Sequence, residues 1–230
     1  MLCGRNGGRR RDGGIGAMID THVHTARCRH AEGDPADYIA AATAAGVKVL
    51  AFADHLPLPD GYDAGYAMPR EELPAYVEEV LEARESAAGD PAAPEVLLGV
   101  EADWLPGELD HVRDLTTAFP FDVVLGSVHF VEGWAFDDPE LRHVYDEWDL
   151  SDLWNGYFDE LRRAATSGLF DVMAHPDLVK KFCDAAPFDP RELYEAAAHA
   201  MAHGGVAAEL STAGLRKPCA EIYPLSLIPL

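Results

Sequence analysis

The sequence predicts an α/β fold built on a parallel sheet. Three observations lead there. Six short apolar runs alternate with segments of helical pattern. Most of those runs are apolar on both faces, as strands buried in a parallel sheet must be. The β-α order, repeated about six times, requires right-handed crossovers, which place the strands side by side in an open sheet or a barrel.

Taken in order, residues 1–17, "MLCGRNGGRRRDGGIGA", are Gly- and Arg-rich with nothing to bury, and a disordered extension is expected. They lack the apolar core of a secretory signal. Met18 opens the first strand candidate, "MIDTHV", and residues 18–230 are expected to form a single domain. Asp34 and Pro35 form an N-cap and first-turn pair, and the helix they open stops at Gly46. The second strand is "VKVLAFAD" (47–54). Leu73, Tyr76, Val77, Val80 and Leu81 then mark one face of a helix over 70–87. Strands follow at "EVLLGVE" (95–101), "FDVVLGSVH" (121–129) and "FDVMAHP" (170–176). Asp189–Pro190 opens a capped helix that ends at Gly204 and Gly205, before a last strand, "GVAAELS" (205–211).

Composition excludes several classes. The 230 residues are 48% hydrophobic, enough for one sizeable core. No apolar run approaches the ~18 residues that span a bilayer, so no membrane role is expected. The net charge is −22, and a body this acidic repels phosphate polymers, which argues against a nucleic-acid partner. A small phosphorylated substrate could still bind where bound cations reverse the sign locally. The four cysteines form no CxxC pair and no disulfide framework, which fits a reducing cytoplasm.

The chemistry lies at the strand ends. "MIDTHVHTARCRH" puts His22, His24 and His30 within nine residues. The second strand ends in Asp54 and His55, the third in Glu101 with Asp103 two residues on, the fourth in His129 and the fifth in His175. Ligands in parallel α/β folds bind at this C-terminal edge. Singly, each residue has a bland reading: a strand-face HxH, a buried satisfied histidine, a solvated carboxylate. Jointly, five strands ending in costly polar groups beside apolar runs point to a metal centre. Cys28 lies between two of these histidines, and a bystander thiol is favoured there over a further donor. Imidazoles and carboxylates without a thiolate set suit Zn, Mn or Fe. The donors outnumber the needs of one tetrahedral ion and would serve roughly two or three, an arrangement suited to hydrolysis of a phosphate ester.

These residues resemble the PHP superfamily (polymerase and histidinol phosphatase), and within it the monofunctional histidinol-phosphatase branch. The matching motifs are "DTHVHT" with His30, "FADHLPLP", "LGVEADW", "VLGSVHF", "MAHPDLVKKF" and "ELSTAGLRKP", with "YAMPREELPAYVEEV" like that branch's substrate-side insertion. The resemblance implies a distorted (β/α)7 barrel and a trinuclear centre. His22, His24 and Glu101 would hold the first ion. Glu101 would bridge to a second ion, held also by His129 and His175, and His30 and His55 would hold the third. The implied reaction is hydrolysis of L-histidinol phosphate to L-histidinol and phosphate, in histidine biosynthesis, by a hydroxide held between the ions. Arg216, and less so Lys180 and Lys217, are the expected substrate phosphate contacts.

The family pattern continues with a last β/α unit and an Asp-x-His motif, whereas this sequence ends in "LSLIPL". The expectation is a barrel lacking that unit, with the Glu101–His129–His175 site binding metal best and the His30–His55 site weakest. Two alternatives to the histidinol phosphatase follow: a catalytically impaired metal-binding remnant, or another phosphoesterase of the superfamily, such as a nuclease.

Overall fold

β1 (Ile19–Val23) leads into α1 (Pro35–Ala45), whose start is fixed locally. Asp34 and Asp37 cap each other reciprocally: the Asp34 carboxylate accepts from the Asp37 N–H at 3.0 Å, and Asp37 accepts from the Asp34 N–H at 3.4 Å. Gly46, at φ +75°, ends the helix in the left-handed conformation that glycine adopts most cheaply. β2 (Val49–Phe52), α2 (Leu73–Ala87), β3 (Glu95–Asp103), α3 (Leu109–Ala118) and β4 (Val123–Ser127) continue the alternation. A small antiparallel hairpin, β5 (Phe130–Val131) and β6 (Trp134–Ala135), then intervenes. After it come α4 (Leu150–Ala165), β7 (Val172–Met173), α5 (Arg191–Gly204) and β8 (Ala207–Ala208). The computed structural model describes residues 18–62 and 65–224. The expected N-terminal extension and the "LSLIPL" tail lie outside them.

Six strands form one parallel sheet in the order β1-β2-β3-β4-β7-β8. The sheet curls into part of a barrel, and β1 and β8 are its two edges. The last two strands are shorter than the apolar runs at 170–176 and 205–211 suggest, because the ladder stops where the chain turns toward the site. α5 begins at Arg191 rather than at the Asp189–Pro190 pair. The Asp189 carboxylate accepts the Arg191 N–H at 3.2 Å and is also paired with the Arg191 guanidinium.

β3 shows how the two faces divide. Val96, Leu98, Val100 and Ala102 alternate onto the outer face and join the large core beneath the helices. That core includes Tyr76, Leu153, Tyr157, Phe158, Leu161, Tyr194 and Met201. Leu97, Glu101 and Asp103 alternate onto the concave face. There a second, small cluster of Ala51, Ala53, Val123, Leu125 and Ala174 fills the tight interior of the curl. Side chains this small are what a strongly curved inner face accommodates. Glu101 and Asp103 therefore lie at the top of a packed inner layer, at the C-terminal ends of the strands.

Candidate metal centre

Every candidate donor stands at the end of a strand or just beyond it, so the sheet brings them together. Glu101 is at the centre, with its side chain 1% exposed. Five imidazoles converge on its two oxygens. His22 Nε2, His24 Nε2 and His55 Nδ1 lie 3.0, 3.4 and 3.2 Å from Oε2. His175 Nε2 and His129 Nε2 lie 3.1 and 3.8 Å from Oε1. The Ser127 hydroxyl donates to the same carboxylate. His30 stands one ring further out, 4.9 Å from His24 and 5.3 Å from His55 between centroids.

Supporting contacts orient these rings. Asp103 lies 2.6 Å from His129 Nδ1, so His129 faces Glu101 with Nε2. His30 Nδ1 lies 2.8 Å from the Cys28 carbonyl, which leaves its Nε2 free to face inward. His24 stacks on His55 at 4.8 Å and 13°. Cys28 Sγ sits 3.4 Å from His24 Nδ1 and accepts the His55 backbone N–H at 2.9 Å. Burial, followed by the Asp54 charge, pushes the Cys28 thiol far above its ordinary range, and with His24 and Asp54 it forms a further group of donors within 4.8 Å. Asp54 accepts the backbone N–H and the hydroxyl of Thr25, fixing the turn that follows β1.

The electrostatics divide the donors: burial opposes a proton on His22, but the Glu101 and Glu209 carboxylates hold it well above its usual range. Burial lowers His24 to about 3 and holds His55 well below its usual range, so both keep neutral rings with lone pairs. Burial pushes the Glu101 carboxyl up, but the charge of His22 and the hydrogen bonds from His175 and His22 outweigh it, and it remains ionised. Burial opposes protonation of His129 as well, yet the Asp103 carboxylate raises it to about 9. Among the described residues His175 Nδ1 is buried without a hydrogen-bond partner, and His55 Nδ1, although 3.2 Å from Glu101 Oε2, is not aligned for a hydrogen bond. Divalent cations suit this donor set.

The donor atoms also converge in groups of three. His24, His30 and His55 converge as one triad, His22, Glu101 and His175 as another, and His55, Glu101 and His129 as a third, each within 4.8 Å. His24 turns toward His30 and His55 because it stacks on His55. His175 reaches across to His22, their centroids 5.5 Å apart.

The expected phosphate contacts divide. The Lys180 ammonium is engaged inside the protein. Its side chain is 7% exposed, and its ammonium is held by Asp177 at 2.9 Å, by the Ile222 carbonyl at 2.9 Å and by Glu221 at 3.2 Å. All three of its donors are used inside the protein. Arg216 is exposed at the end of a short 3-10 turn, Ala213–Arg216. Burial and the nearby charges of Lys181 and Arg216 lower the Lys217 ammonium, against the pull of Asp137. Lys181 binds Asp137 at 2.9 Å, and burial of Asp137 is outweighed by His129 and Lys181, which keep it ionised. Asp137 thus interacts electrostatically with both Lys217 and His129.

Sequence reasoning missed Glu209, Tyr66 and Asp137. Glu209 had a visible signal, since the sixth strand run also ends in an acid. Tyr66, whose ring lies 4.4 Å from His55 and 5.6 Å from His129, and Asp137 sit on irregular segments with no periodicity to expose them.

Comparison with known proteins agrees with this geometry. The PHP domain family matches residues 20–213. The chain belongs to the PHP family. It is 43% identical over 210 residues to the "probable histidinol-phosphatase" of Deinococcus radiodurans, covering 90% of this chain and 78% of that one. It is 27% identical to a protein of the same description from Schizosaccharomyces pombe, over 90% of this chain and 73% of that one. The PHP fold is shared with a histidinol phosphate phosphatase from Lactococcus lactis solved with zinc, L-histidinol and phosphate. That match has a TM-score of 0.74 at 20% identity, over 90% of this chain and 77% of the other. A histidinol-phosphatase-type structure from Listeria monocytogenes matches with a TM-score of 0.78 at 22% identity, over 90% and 87%. Among the described residues of this PHP chain no helix is long and apolar enough to cross a membrane.

Proposed function

We propose that residues 18 onward form one catalytic unit, a metal-dependent phosphomonoesterase that hydrolyses L-histidinol phosphate to L-histidinol and phosphate. The observation that carries the reading is the gathering of His22, His24, His55, His129 and His175 on the buried Glu101 carboxylate. The substrate choice is supported by the likeness to the Deinococcus radiodurans relative.

In this reading His22, His24, His30, His55, Glu101, His129 and His175 hold two or three divalent ions, with Zn, Mn and Fe all compatible with the donors. Such ions, when bound, lower the proton affinity of water and neutralise charge on a phosphoryl group. The protein's own residues do the rest. Asp103 holds His129 in one orientation, and Ser127 fixes Glu101 between the triads. The inner cluster of alanines and valines closes the floor to water. Arg216 and Lys217 offer positive charge to an arriving phosphate, with Arg216 presenting the fork that suits it. Tyr66 packs its ring beside His55 and His129.

Phosphate release measured with L-histidinol phosphate and with a nucleotide monoester tests this. The expected result is turnover of the first that stops on chelation and returns with zinc or manganese. Preference for the nucleotide ester would move the chain to another branch. No turnover of either by the metal-loaded chain would leave a metal-binding remnant.

A further inference from the structure

The curled sheet has a seam. β1 and β8 are its edge strands, and among the described residues no ladder joins them. At the C-terminal end, however, one side chain crosses the gap. Glu209 follows β8 directly, with its own N–H donated to the Met173 carbonyl at 2.9 Å. One oxygen, Oε2, accepts the His175 backbone N–H at 2.6 Å. The other, Oε1, lies 3.2 Å from His22 Nδ1, on β1. A single carboxylate thus touches the ends of three strands.

Both of its partners need holding. His175 has φ +28°, a backbone conformation that a residue with a β-carbon adopts rarely. His22 has two ring nitrogens, and only a contact at Nδ1 decides that Nε2 faces Glu101, 3.0 Å away. The same device appears on the far side of Glu101, where Asp103 holds His129 by Nδ1. At His24 Nδ1 the contact is longer, 4.0 Å to the Asp54 carboxylate.

We infer that Glu209 is a positioning residue that closes the seam of the sheet over the site, fixing the ring of His22 and the backbone of His175 as one unit. The inference rests on the metal-centre reading above and adds to it a residue that acts through His22. Glutamine in its place keeps the shape but has one acceptor where two are used. Either His175 loses its partner, or an amide N–H faces His22 Nδ1 and forces the ring to present the wrong nitrogen. Aspartate keeps the charge and loses the reach.

Zinc affinity by equilibrium dialysis tests the proposal on Glu209→Gln, Glu209→Asp and each paired with His22→Ala. Both single variants are expected to bind zinc ~10–100-fold more weakly, the range for loss of a ligand-orienting partner. Thermal unfolding of the metal-free single variants is expected to stay near the parent's. In the His22→Ala background the same substitutions should cause little further loss, because they act through that ring. Parent-like affinity in the variants that fold would overturn the proposal. So would a loss that adds in full on His22→Ala, since Glu209 would then not act through His22. A parent chain that binds no zinc would instead defeat the metal-centre reading.

Discussion

Asp103 and Lys180 are both buried and charged, and the structure gives them opposite meanings. Asp103 serves the site: its contact with His129 Nδ1 sets which nitrogen faces Glu101. Replacing it with asparagine keeps the shape and weakens that control. Metal affinity should fall ~10–100-fold while the fold persists, read by dialysis and circular dichroism. Lys180 serves the fold. In Lys180→Met the Asp177 carboxylate loses a cation in a dry setting, and stability should fall by about 3–5 kcal/mol in urea unfolding. KM for the molecules that remain folded should not move. A raised KM with unchanged stability would return Lys180 to the substrate. The sequence shows a lysine near a metal-ligand motif in both cases; only the contacts with Asp177, Glu221 and Ile222 reveal where its charge goes.

At the scale of elements, the strands were legible because most are apolar on both faces and end in an imidazole or a carboxylate. β3 was the clearest, and its alternation also places Asp103 on the same face as Glu101. α1 was legible from Asp34, Pro35 and Gly46 alone. Asp34→Ala should cost about 1 kcal/mol, measured as a lower urea midpoint, because the Asp37 N–H loses its acceptor. The hairpin at Phe130–Ala135 and the turns around Asp137 were not legible, since they carry no repeat that hydrophobicity could report. Close packing of α4 on α5 was hidden as well. A β-carbon at Gly204 would stand 2.0 Å from the Ala165 carbonyl oxygen, so the helices must part to admit it. Gly204→Ala should therefore lower the melting temperature by several degrees, given that overpacking costs about 1–3 kcal/mol; an unchanged value would mean that this contact yields freely.

Across the whole molecule, an acidic body of net charge −22 is built around a pocket of imidazoles. Bound divalent ions would offset part of that charge and tie together the ends of strands distant in sequence. Saturating zinc should raise the melting temperature, and chelation should reverse the rise, since a ligand that binds only the folded chain stabilises it by mass action. What the sequence could not show is how the donors sort. The strand order β1-β2-β3-β4-β7-β8 sets which ends are neighbours, but the curl brings His175 to His22 and Glu209 across the seam. Those contacts depend on three-dimensional closure, which no local pattern encodes. The central claim is that Glu101 organises a centre of more than one metal ion. Elemental analysis of the zinc-dialysed chain beside Glu101→Ala tests it most directly. The account predicts two or more zinc ions per parent chain and a loss of at least one in the variant. A parent with one ion or none, or a variant that keeps the full complement, would contradict it.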